Sequence, residues 1–368
     1  MDTNIEFFNT TIVPSAIESV TKTLLSGKIS AGNKADIFEN DLTEYGLKNP
    51  VTLNSGTVTM HLALIASGIG HGDEVIIPSQ TFIATGMAVL YVGAKPIFAD
   101  INIEDGNIST ESILEKITPK TKAIIVVHWA GYPCDMDKIN EIAKIHNLSV
   151  IEDAAHAFGA KYKNKLVGSL SRFTSFSFQA IKHLTTGDGG ALCCNNLDDL
   201  YLVKKLRWFD IDRENTKVNF LGEREYDAKN VGYKYHMNDI SASIGIENLK
   251  YFNEKLKKIK KISEIYKSEL KNLNGVQLMK YETSRESSYW LFPLLVNGRN
   301  NFIKNMRNKN IPVSVVHQGI HKNTIFDSKQ KKLKNQDYFD ENQIHIPIHD
   351  KLSENQIEYI INTIKKIN

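Results

Sequence analysis

The chain has few cysteines, little net charge and no long apolar segment, and each of these shortages excludes a class of protein. Its three cysteines are Cys134 and the adjacent Cys193 and Cys194, a number and spacing that fit neither a disulfide framework nor a metal site. A net charge of +3 is too small to indicate a nucleic-acid partner. The longest apolar runs, such as residues 123–130, are far too short to cross a bilayer, so no membrane partner is expected.

The first eleven residues contain no basic region followed by an apolar stretch. That pattern would indicate a secretion signal, so a reducing cytoplasm is the simplest expectation. Hydrophobic residues make up 42% of the 368 residues and charged residues 24%, values close to the globular average. Because this length exceeds a usual single core, we expect two domains, at residues 1–250 and 251–368.

From about residue 51 to residue 194 the chain alternates short β-rich runs with helical stretches. This alternation predicts an α/β fold with a mostly parallel sheet and helices on both faces. A long, charged helical stretch at residues 238–273 then leads to a smaller C-terminal α+β domain. The predicted strands of the sheet are nearly continuously apolar, as is typical of strands buried on both faces, and comprise residues 73–80, 95–101, 123–130, 148–155 and 173–180.

Three side chains lie at or just after the ends of predicted strands, where parallel sheets bind ligands. They are Phe82, Asp153 and Lys182. Lys182 lies between a β-rich run and a glycine-rich turn, and a lysine can form a Schiff base, while a buried Asp153 can pair with a pyridinium nitrogen. These two groups are the minimum that pyridoxal phosphate (PLP) requires. Taken singly, each also fits a plainer role, a surface lysine or a helix N-cap.

Other residues extend this candidate cofactor site. Gly56 and Thr57 open a predicted helix, whose first N–H groups can bind phosphate, and Ser177 could add a hydroxyl. Phe82 could stack on a planar ring. His156 could reach the ring's phenolic oxygen if its segment is helical, because residues three apart share a helix face. The alternatives are an ordinary helix start for Gly56 and Thr57, a core aromatic for Phe82 and a structural role for His156.

Several motifs resemble, in the same order, those of the DegT/DnrJ/EryC1/StrS family of PLP-dependent sugar aminotransferases. They are residues 54–101, VVHWAGYPCDMDKI (126–139), IEDAAHAFGA (151–160), FSFQAIKHLTTGDGG (176–190) and GYKYHMNDISASIG (232–245). The resemblance covers nearly the whole chain. It implies a fold type I transferase, with a mostly parallel sheet of the seven-stranded type.

The resemblance also implies site roles, with Lys182 and Asp153 as the catalytic pair. Lys182 would carry the Schiff base, and Asp153 would pair with the pyridine nitrogen. His156 stands where many members have glutamine. The cofactor-binding residues implied in this way are Gly56, Thr57, Phe82, Asp153, His156, Ser177, Lys182 and Lys234.

Two further departures from the family pattern accompany these matches. The family's GYNYR motif places an asparagine of a neighbouring subunit on the phosphate, and Lys234 stands at that position here. As a point charge, this lysine could still reach phosphate. The family's use of this segment implies a homodimer with shared sites. The second departure is the segment 206–214, where many members have a histidine-glycine pair.

The activity implied is transfer of an amino group from glutamate to a nucleotide-linked keto sugar, in surface-polysaccharide biosynthesis. Candidate sugar contacts are His317 and His321, which could equally be a pair of surface-loop histidines. A dehydratase of the same family is one alternative, but that branch has histidine in place of Lys182. A PLP-binding regulator without catalysis and a nucleotide-binding Rossmann protein are others. The chain has no DNA-binding motif or basic stripe that would support a regulator. No GxGxxG follows its first strand, as a nucleotide-binding Rossmann protein would require.

Overall fold

The computed structural model describes residues 4–213, 215–326 and 332–367. The strands are β1 (Pro50–Leu53), β2 (Glu74–Pro78), β3 (Lys95–Ala99), β4 (Thr121–Val127), β5 (Ser149–Asp153), β6 (Lys161–Tyr162), β7 (Lys165–Leu166), β8 (Phe173–Ser177), β9 (Gly190–Cys194), β10 (Val276–Leu278), β11 (Arg285–Glu286), β12 (Phe292–Val296) and β13 (Gln343–Ile346). The α-helices are α1 (Pro14–Leu25), α2 (Lys34–Tyr45), α3 (Gly56–Ala66), α4 (Ile83–Tyr91), α5 (Thr110–Lys116), α6 (Met136–His146), α7 (Leu197–Leu206), α8 (Asp239–Leu270), α9 (Arg299–Asn308), α10 (Lys334–Asn342) and α11 (Glu354–Ile367).

Seven strands form the central sheet, in the order β1-β9-β8-β5-β4-β2-β3. From β3 to β8 every neighbouring pair is parallel, whereas β9 is antiparallel to both β8 and β1. The five strands predicted from apolar runs are β2, β3, β4, β5 and β8. The predicted α/β fold with a mostly parallel, seven-stranded sheet is therefore confirmed.

Both faces of this sheet are buried, as the continuous apolar runs predict. On β4, Ala123 and Ile125 belong to one hydrophobic cluster, and the alternating Ile124 and Val126 belong to another. Successive side chains of a strand point to opposite faces, so the two clusters lie on the two sides of the sheet. Helices α3, α4 and α7 contribute to the first cluster and α6 to the second. The carboxyl ends of the strands thus remain the open edge.

Helix α8 connects the sheet to the C-terminal part of the chain and is 32 residues long. It runs through the predicted domain boundary after residue 250. Its N-terminal residues pack with α1 and α2, while Ile259, Ile262 and Tyr266 join a separate C-terminal core. That core is built on an antiparallel three-stranded sheet, in the order β10-β12-β13. None of the described helices has the length and apolar character needed to span a bilayer.

The helix considered for the segment after β5 is wrong. Residues 154–160 form consecutive turns instead, in which the Ala157 N–H donates to the Ala154 carbonyl and the Ala160 N–H to the Ala157 carbonyl. Gly159 has a φ of +81°, a left-handed conformation that a helix cannot include. His156 therefore reaches its position through a turn and not through helical spacing.

Candidate active site

The open edge of the sheet brings together the groups that the sequence places after strands. Asp153 is the last residue of β5, and Ser177 is the last residue of the neighbouring β8. Lys182 follows in the loop between β8 and β9. Phe82 lies just before α4, in the connection from β2. The parallel arrangement of these strands aligns their carboxyl ends, so the predicted convergence of Phe82, Asp153 and Lys182 at one edge is observed.

Asp153 is buried, with 5% of its surface exposed, and both of its carboxylate oxygens accept hydrogen bonds. The Thr85 hydroxyl donates to Oδ2 at 2.8 Å, and the Ala155 N–H donates to Oδ1 at 3.1 Å. Burial raises the pKa of the Asp153 carboxyl, while these two hydrogen bonds and the nearby Lys182 oppose the rise. A cation placed beside this carboxylate would stabilise its charged form.

Lys182 has a partly accessible side chain, but its amine lies among protein groups. Burial lowers the pKa of this amine from its usual 10.5 to about 7, and the negative charge of Asp153 opposes the shift. Nζ lies 3.7 Å from the centre of the Trp290 ring. Near neutral pH this lysine is therefore present in both its charged and its neutral form, as a nucleophile that also transfers protons requires.

His156 is packed between aromatic rings. Its imidazole stacks on Trp290, with ring centres 3.8 Å apart and planes inclined by 19°, and meets the edge of Trp129 at 5.4 Å. Its Nδ1 is buried without a hydrogen-bond partner. Burial, reinforced by the charge of Lys182, holds the pKa of His156 well below 6.5, so the ring is neutral. An unsatisfied buried nitrogen is costly, and a ligand that bonds to it would remove this cost.

The start of α3 lies directly against the end of β8. A Cβ atom added to Gly56 would come within 2.7 Å of Cβ and 3.1 Å of Oγ of Ser177, so only glycine fits this approach. The Ser55 hydroxyl accepts a hydrogen bond from the Val58 N–H at 3.4 Å. The N–H groups of Gly56 and Thr57 belong to the first turn, which has no partners within the helix. With Ser177 they lie where the sequence predicts an anion cradle.

Phe82 and His317 lie on the same side of the site. Phe82 is 54% exposed, and its ring centre lies 5.2 Å from that of His317. Gln80 and Gln343 both donate to the backbone carbonyl of His317, at 3.0 and 2.9 Å. Burial and the charge of Lys182 lower the pKa of His317 to about 4. This histidine is thus held beside the site and is neutral at physiological pH.

His321, the other histidine proposed to contact the sugar, is anchored elsewhere. Its Nδ1 lies 2.5 Å from the Ser79 hydroxyl, at the end of β2, and its ring packs 6.1 Å from that of Phe98. His317 and His321 lie in one loop, which suggested a pair of substrate contacts, but their side chains have different surroundings. The hydrogen bond to Ser79 gives His321 a structural role.

Lys234 lies on an extended segment beside Trp208. Its Nζ is 4.6 Å from the centre of that indole ring, and the Arg213 guanidinium is 4.3 Å from the same centre. His236 meets the ring edge at 4.2 Å. Its pKa falls to about 4, first through burial and then through the neighbouring cations. Two cationic side chains thus lie against the Trp208 ring. Trp208, Arg213 and His236 also line a cavity of about 500 Å³.

Sequence reasoning missed three residues of the site. Thr85 binds Asp153, and Trp129 and Trp290 enclose His156. All three lie within runs whose pattern is typical of structural elements. Thr85 and Trp129 belong to motifs that carry the family resemblance, which was the available signal, whereas Trp290 lies just before β12 and outside those motifs.

The arrangement fits PLP on several independent observations. The orphaned Nδ1 of His156 is an available partner for a ring substituent, and the approach of Gly56 to Ser177 leaves a cradle for a phosphate. The lowered pKa of Lys182 gives an amine able to attack an aldehyde. Asp153 is a carboxylate whose charged form a protonated ring nitrogen would stabilise.

Comparison with known proteins agrees with this fit. The model of the DegT/DnrJ/EryC1/StrS aminotransferase family matches residues 11–365. GDP-perosamine synthase of Escherichia coli O157:H7 is 38% identical over 86% of this chain and 84% of its own length. CalS13, a sugar aminotransferase of Micromonospora echinospora, superposes with a TM-score of 0.94 at 29% identity, covering 98% of this chain and 99% of its own. The PLP form of Spr1654 from Streptococcus pneumoniae superposes with a TM-score of 0.90 at 30% identity, covering 99% and 98%.

Proposed function

This chain belongs to the DegT/DnrJ/EryC1/StrS aminotransferase family, and we propose that it transfers an amino group from glutamate to a keto sugar linked to a nucleotide. It is a sugar aminotransferase, and its cofactor is PLP. The observation that carries the proposal is the enclosed Lys182 amine beside Asp153. Support for the nucleotide carrier comes from the relative whose name specifies a GDP-linked sugar. Because nucleotide-linked sugars are glycosyl donors, the product is suited to surface-polysaccharide biosynthesis.

When bound, PLP supplies an aldehyde that condenses with amines and a ring that takes up the electrons released at the donor's α-carbon. Lys182 provides the amine Nζ that attaches the cofactor. Once released, Nζ would accept the proton from the donor's α-carbon and deliver it to the cofactor carbon C4′, because a pKa of about 7 allows both transfers near neutral pH. Lys182 is thus the general base and acid of the proposed reaction.

Asp153 keeps a negative charge where the ring nitrogen would bind. The hydrogen bonds from Thr85 and Ala155 fix its two oxygens, so the carboxylate need not reorganise during the reaction. Neutral His156 offers Nδ1 to the ring oxygen. Its stacking on Trp290 prevents the imidazole from turning away.

Gly56, Thr57 and Ser177 would hold the phosphate, and Phe82 would cover the cofactor ring. The N-terminus of α3 carries a partial positive charge that attracts the phosphate dianion. The large exposed fraction of Phe82 leaves an aromatic face for a planar group. His317, held beside Phe82 by the two glutamines, is the sugar-contact candidate that we retain.

Transamination, rather than dehydration, agrees with the neighbouring histidine. His183 is buried, and its Nε2 lies 2.8 Å from the Ser288 carbonyl. Burial lowers the pKa of His183 to about 3. This ring therefore has a structural partner and does not replace the Lys182 amine.

We further propose a homodimer in which Lys234 reaches the partner's phosphate site. The segment that precedes Lys234 carries large exposed apolar side chains, with Phe220, Leu221 and Val231 exposed by 96%, 67% and 76%. Such side chains are typical of a protein interface. Light scattering on the purified chain measures its mass in solution, and a monomer at working concentration would refute this proposal.

A panel of keto sugars tests the proposed reaction. The purified chain is incubated with PLP, glutamate and keto sugars linked to GDP, UDP or dTDP, and products are identified by mass spectrometry and NMR. We expect one amino sugar for each 2-oxoglutarate formed, with the amino group at the former carbonyl carbon. Lys182→Ala should form neither product. Absence of 2-oxoglutarate with every nucleotide-linked acceptor, together with turnover of a free keto sugar, would refute the nucleotide-linked assignment.

A further inference from the structure

The short segment 287–291, just before β12, is hydrogen-bonded to the loops of the active site. The Ser288 hydroxyl donates to the His156 carbonyl at 3.0 Å, and the Ser288 N–H donates to the Gly131 carbonyl at 3.0 Å. A Cβ on Gly131 would come within 2.6 Å of the Ser288 hydroxyl and 2.9 Å of the His156 carbonyl. The C-terminal part of the chain is therefore fitted closely against the loops that follow β4 and β5.

Trp290 is the member of this segment that meets the reactive side chains. Its Nε1–H donates to the Ile181 carbonyl at 2.9 Å, which immobilises the residue preceding Lys182. The indole ring lies 3.7 Å from the Lys182 Nζ and stacks on His156 at 3.8 Å. Phe8 stacks on the same indole at 5.4 Å. One side chain thus contacts the two groups and also binds the backbone beside one of them.

The indole face supplies an interaction that the other neighbours of Lys182 do not. The negative charge of Asp153 raises the pKa of Lys182, whereas burial lowers it. His156, His183 and His317 are held neutral chiefly by burial, and the positive charge of Lys182 lowers their pKa values further. An aromatic face attracts a cation through its quadrupole without adding a charge. It can therefore hold the amine in place without competing for the proton as a carboxylate would.

We propose that Trp290 is a positioning residue that holds the Lys182 amine at the indole face whenever this amine is not bonded to the cofactor. The inference rests on the proposed role of Lys182 as the residue that attaches PLP. It adds that the indole, which belongs to the C-terminal part of the chain, determines the position of the freed amine and raises its pKa. Trp290 itself exchanges no proton and forms no bond with the substrate.

The test measures the proton affinity of Lys182 directly in the full-length, cofactor-free chain. Trace labelling with acetic anhydride, quantified on the Lys182 peptide by mass spectrometry across the pH range, follows the neutral fraction of this amine. For the unaltered chain we expect a midpoint near the pKa of about 7. Trp290→Leu should lower the midpoint by about half to one pH unit, because the ammonium loses its cation–π partner. Trp290→Phe retains a weaker aromatic face and should lower the midpoint by less than Trp290→Leu does.

Phe8→Leu is the matched control, because Phe8 packs on the indole without providing the face at which Lys182 lies. Its midpoint should equal that of the unaltered chain. An unchanged or raised midpoint in Trp290→Leu would overturn the proposal. A raised midpoint would mean that hydration of the amine outweighs the loss of the cation–π interaction. If the leucine variant does not fold, incorporation of 5-fluorotryptophan, which weakens the ring quadrupole, should lower the midpoint in the unaltered chain and not in Trp290→Phe. A midpoint of the unaltered chain that fluorination leaves unchanged would refute the proposal.

Failure of this inference can be distinguished from failure of the proposed function. The rate of PLP uptake by Lys182→Ala, followed by the absorbance of the bonded cofactor, tests the attachment role alone. Attachment of PLP in that variant as in the unaltered chain would refute the role of Lys182. Loss of attachment there, combined with an unshifted labelling midpoint in Trp290→Leu, would refute only the role of Trp290.

Discussion

Lys182 and Asp153 are both ionisable, and burial shifts their pKa values toward one another, downward for the amine and upward for the carboxyl. Each group therefore lies closer to its neutral form than it would in water. Binding of a protonated ring nitrogen next to Asp153 would favour the charged form of this carboxyl. This coupling makes the charge of Asp153, more than its shape, the property on which activity depends.

Asp153→Asn tests that dependence. The amide has nearly the same size and can still accept the Ala155 N–H, but it carries no charge to keep the ring nitrogen protonated. We expect kcat to fall at least about a hundredfold, equivalent to about 2.7 kcal/mol of transition-state stabilisation. Steady-state kinetics at saturating PLP provide the measurement.

Thr85→Val is the companion variant, since it removes one hydrogen bond to Asp153 and leaves the carboxylate charged. Its kcat should fall by about tenfold or less, the loss expected for one hydrogen bond to a charged group. Equal losses in the two variants would show that orientation of the carboxylate, rather than its charge, is what matters.

At the level of single residues, the sequence predicted the reactive pair and the cradle better than their surroundings. Lys182 and Asp153 could be placed because each lies at or just after the end of a predicted strand, and Gly56 because it opens a predicted helix. His321 could not be separated from His317 by sequence, since the two lie four residues apart in one loop. Trp290 was missed because an aromatic residue before a strand looks like core, and its contact with Lys182 joins residues more than a hundred positions apart.

Among the elements, the contact between the start of α3 and the end of β8 decides whether the phosphate cradle exists. The predicted helix start at Gly56 is observed, and glycine is required because a Cβ at this position would lie only 2.7 Å from the Ser177 Cβ. Any side chain at this position must push the helix away from the strand. The cradle is therefore a property of two elements together.

Gly56→Ala should weaken PLP binding by about tenfold or more, because displacing the helix by even a fraction of an ångström misaligns its N–H groups. Titration of the cofactor-free protein with PLP, followed by absorbance, gives the dissociation constant. Gly70→Ala is the matched control, since an added Cβ there meets no atom within 4 Å. A dissociation constant for Gly56→Ala equal to that of Gly70→Ala would contradict the steric argument.

The turn at residues 154–160 shows where element prediction stopped. Apolar and small residues made a helix after Asp153 reasonable, but Gly159 adopts a left-handed φ and its position is packed against Phe252 and Leu256 of α8. A Cβ there would approach both side chains to 2.8 Å. This requirement arises from a distant helix and is not visible in the local sequence.

At the scale of the whole molecule, several histidine side chains are buried in their neutral form in and around the site. Burial lowers the pKa of His183 and His345 to about 3 and that of His317 to about 4, and it holds that of His156 well below 6.5. In the unfolded chain these rings bind protons below about pH 6.5. Folding is therefore favoured fully above that pH and progressively less as the pH falls toward 4.

We accordingly expect the free energy of unfolding to decline as the pH is lowered from about 6.5 to 4, by up to about 1.4 kcal/mol per pH unit for each such histidine. Urea unfolding curves at several pH values measure the slope. His345→Gln should reduce the slope, whereas replacement of the exposed His146 serves as the surface control. A slope that His345→Gln leaves unchanged would contradict the assignment of acid sensitivity to these rings.

The sequence by itself predicted the α/β fold, the cofactor and the reactive pair, the fold through periodic burial and the other two through short motifs whose residues are neighbours along the chain. Only the tertiary structure decided which histidine lies beside the site, why Gly56 must be glycine, and that Trp290 lies against Lys182. These features depend on contacts between elements that are distant in sequence. A linear pattern carries no distance between such elements, and packing supplies it.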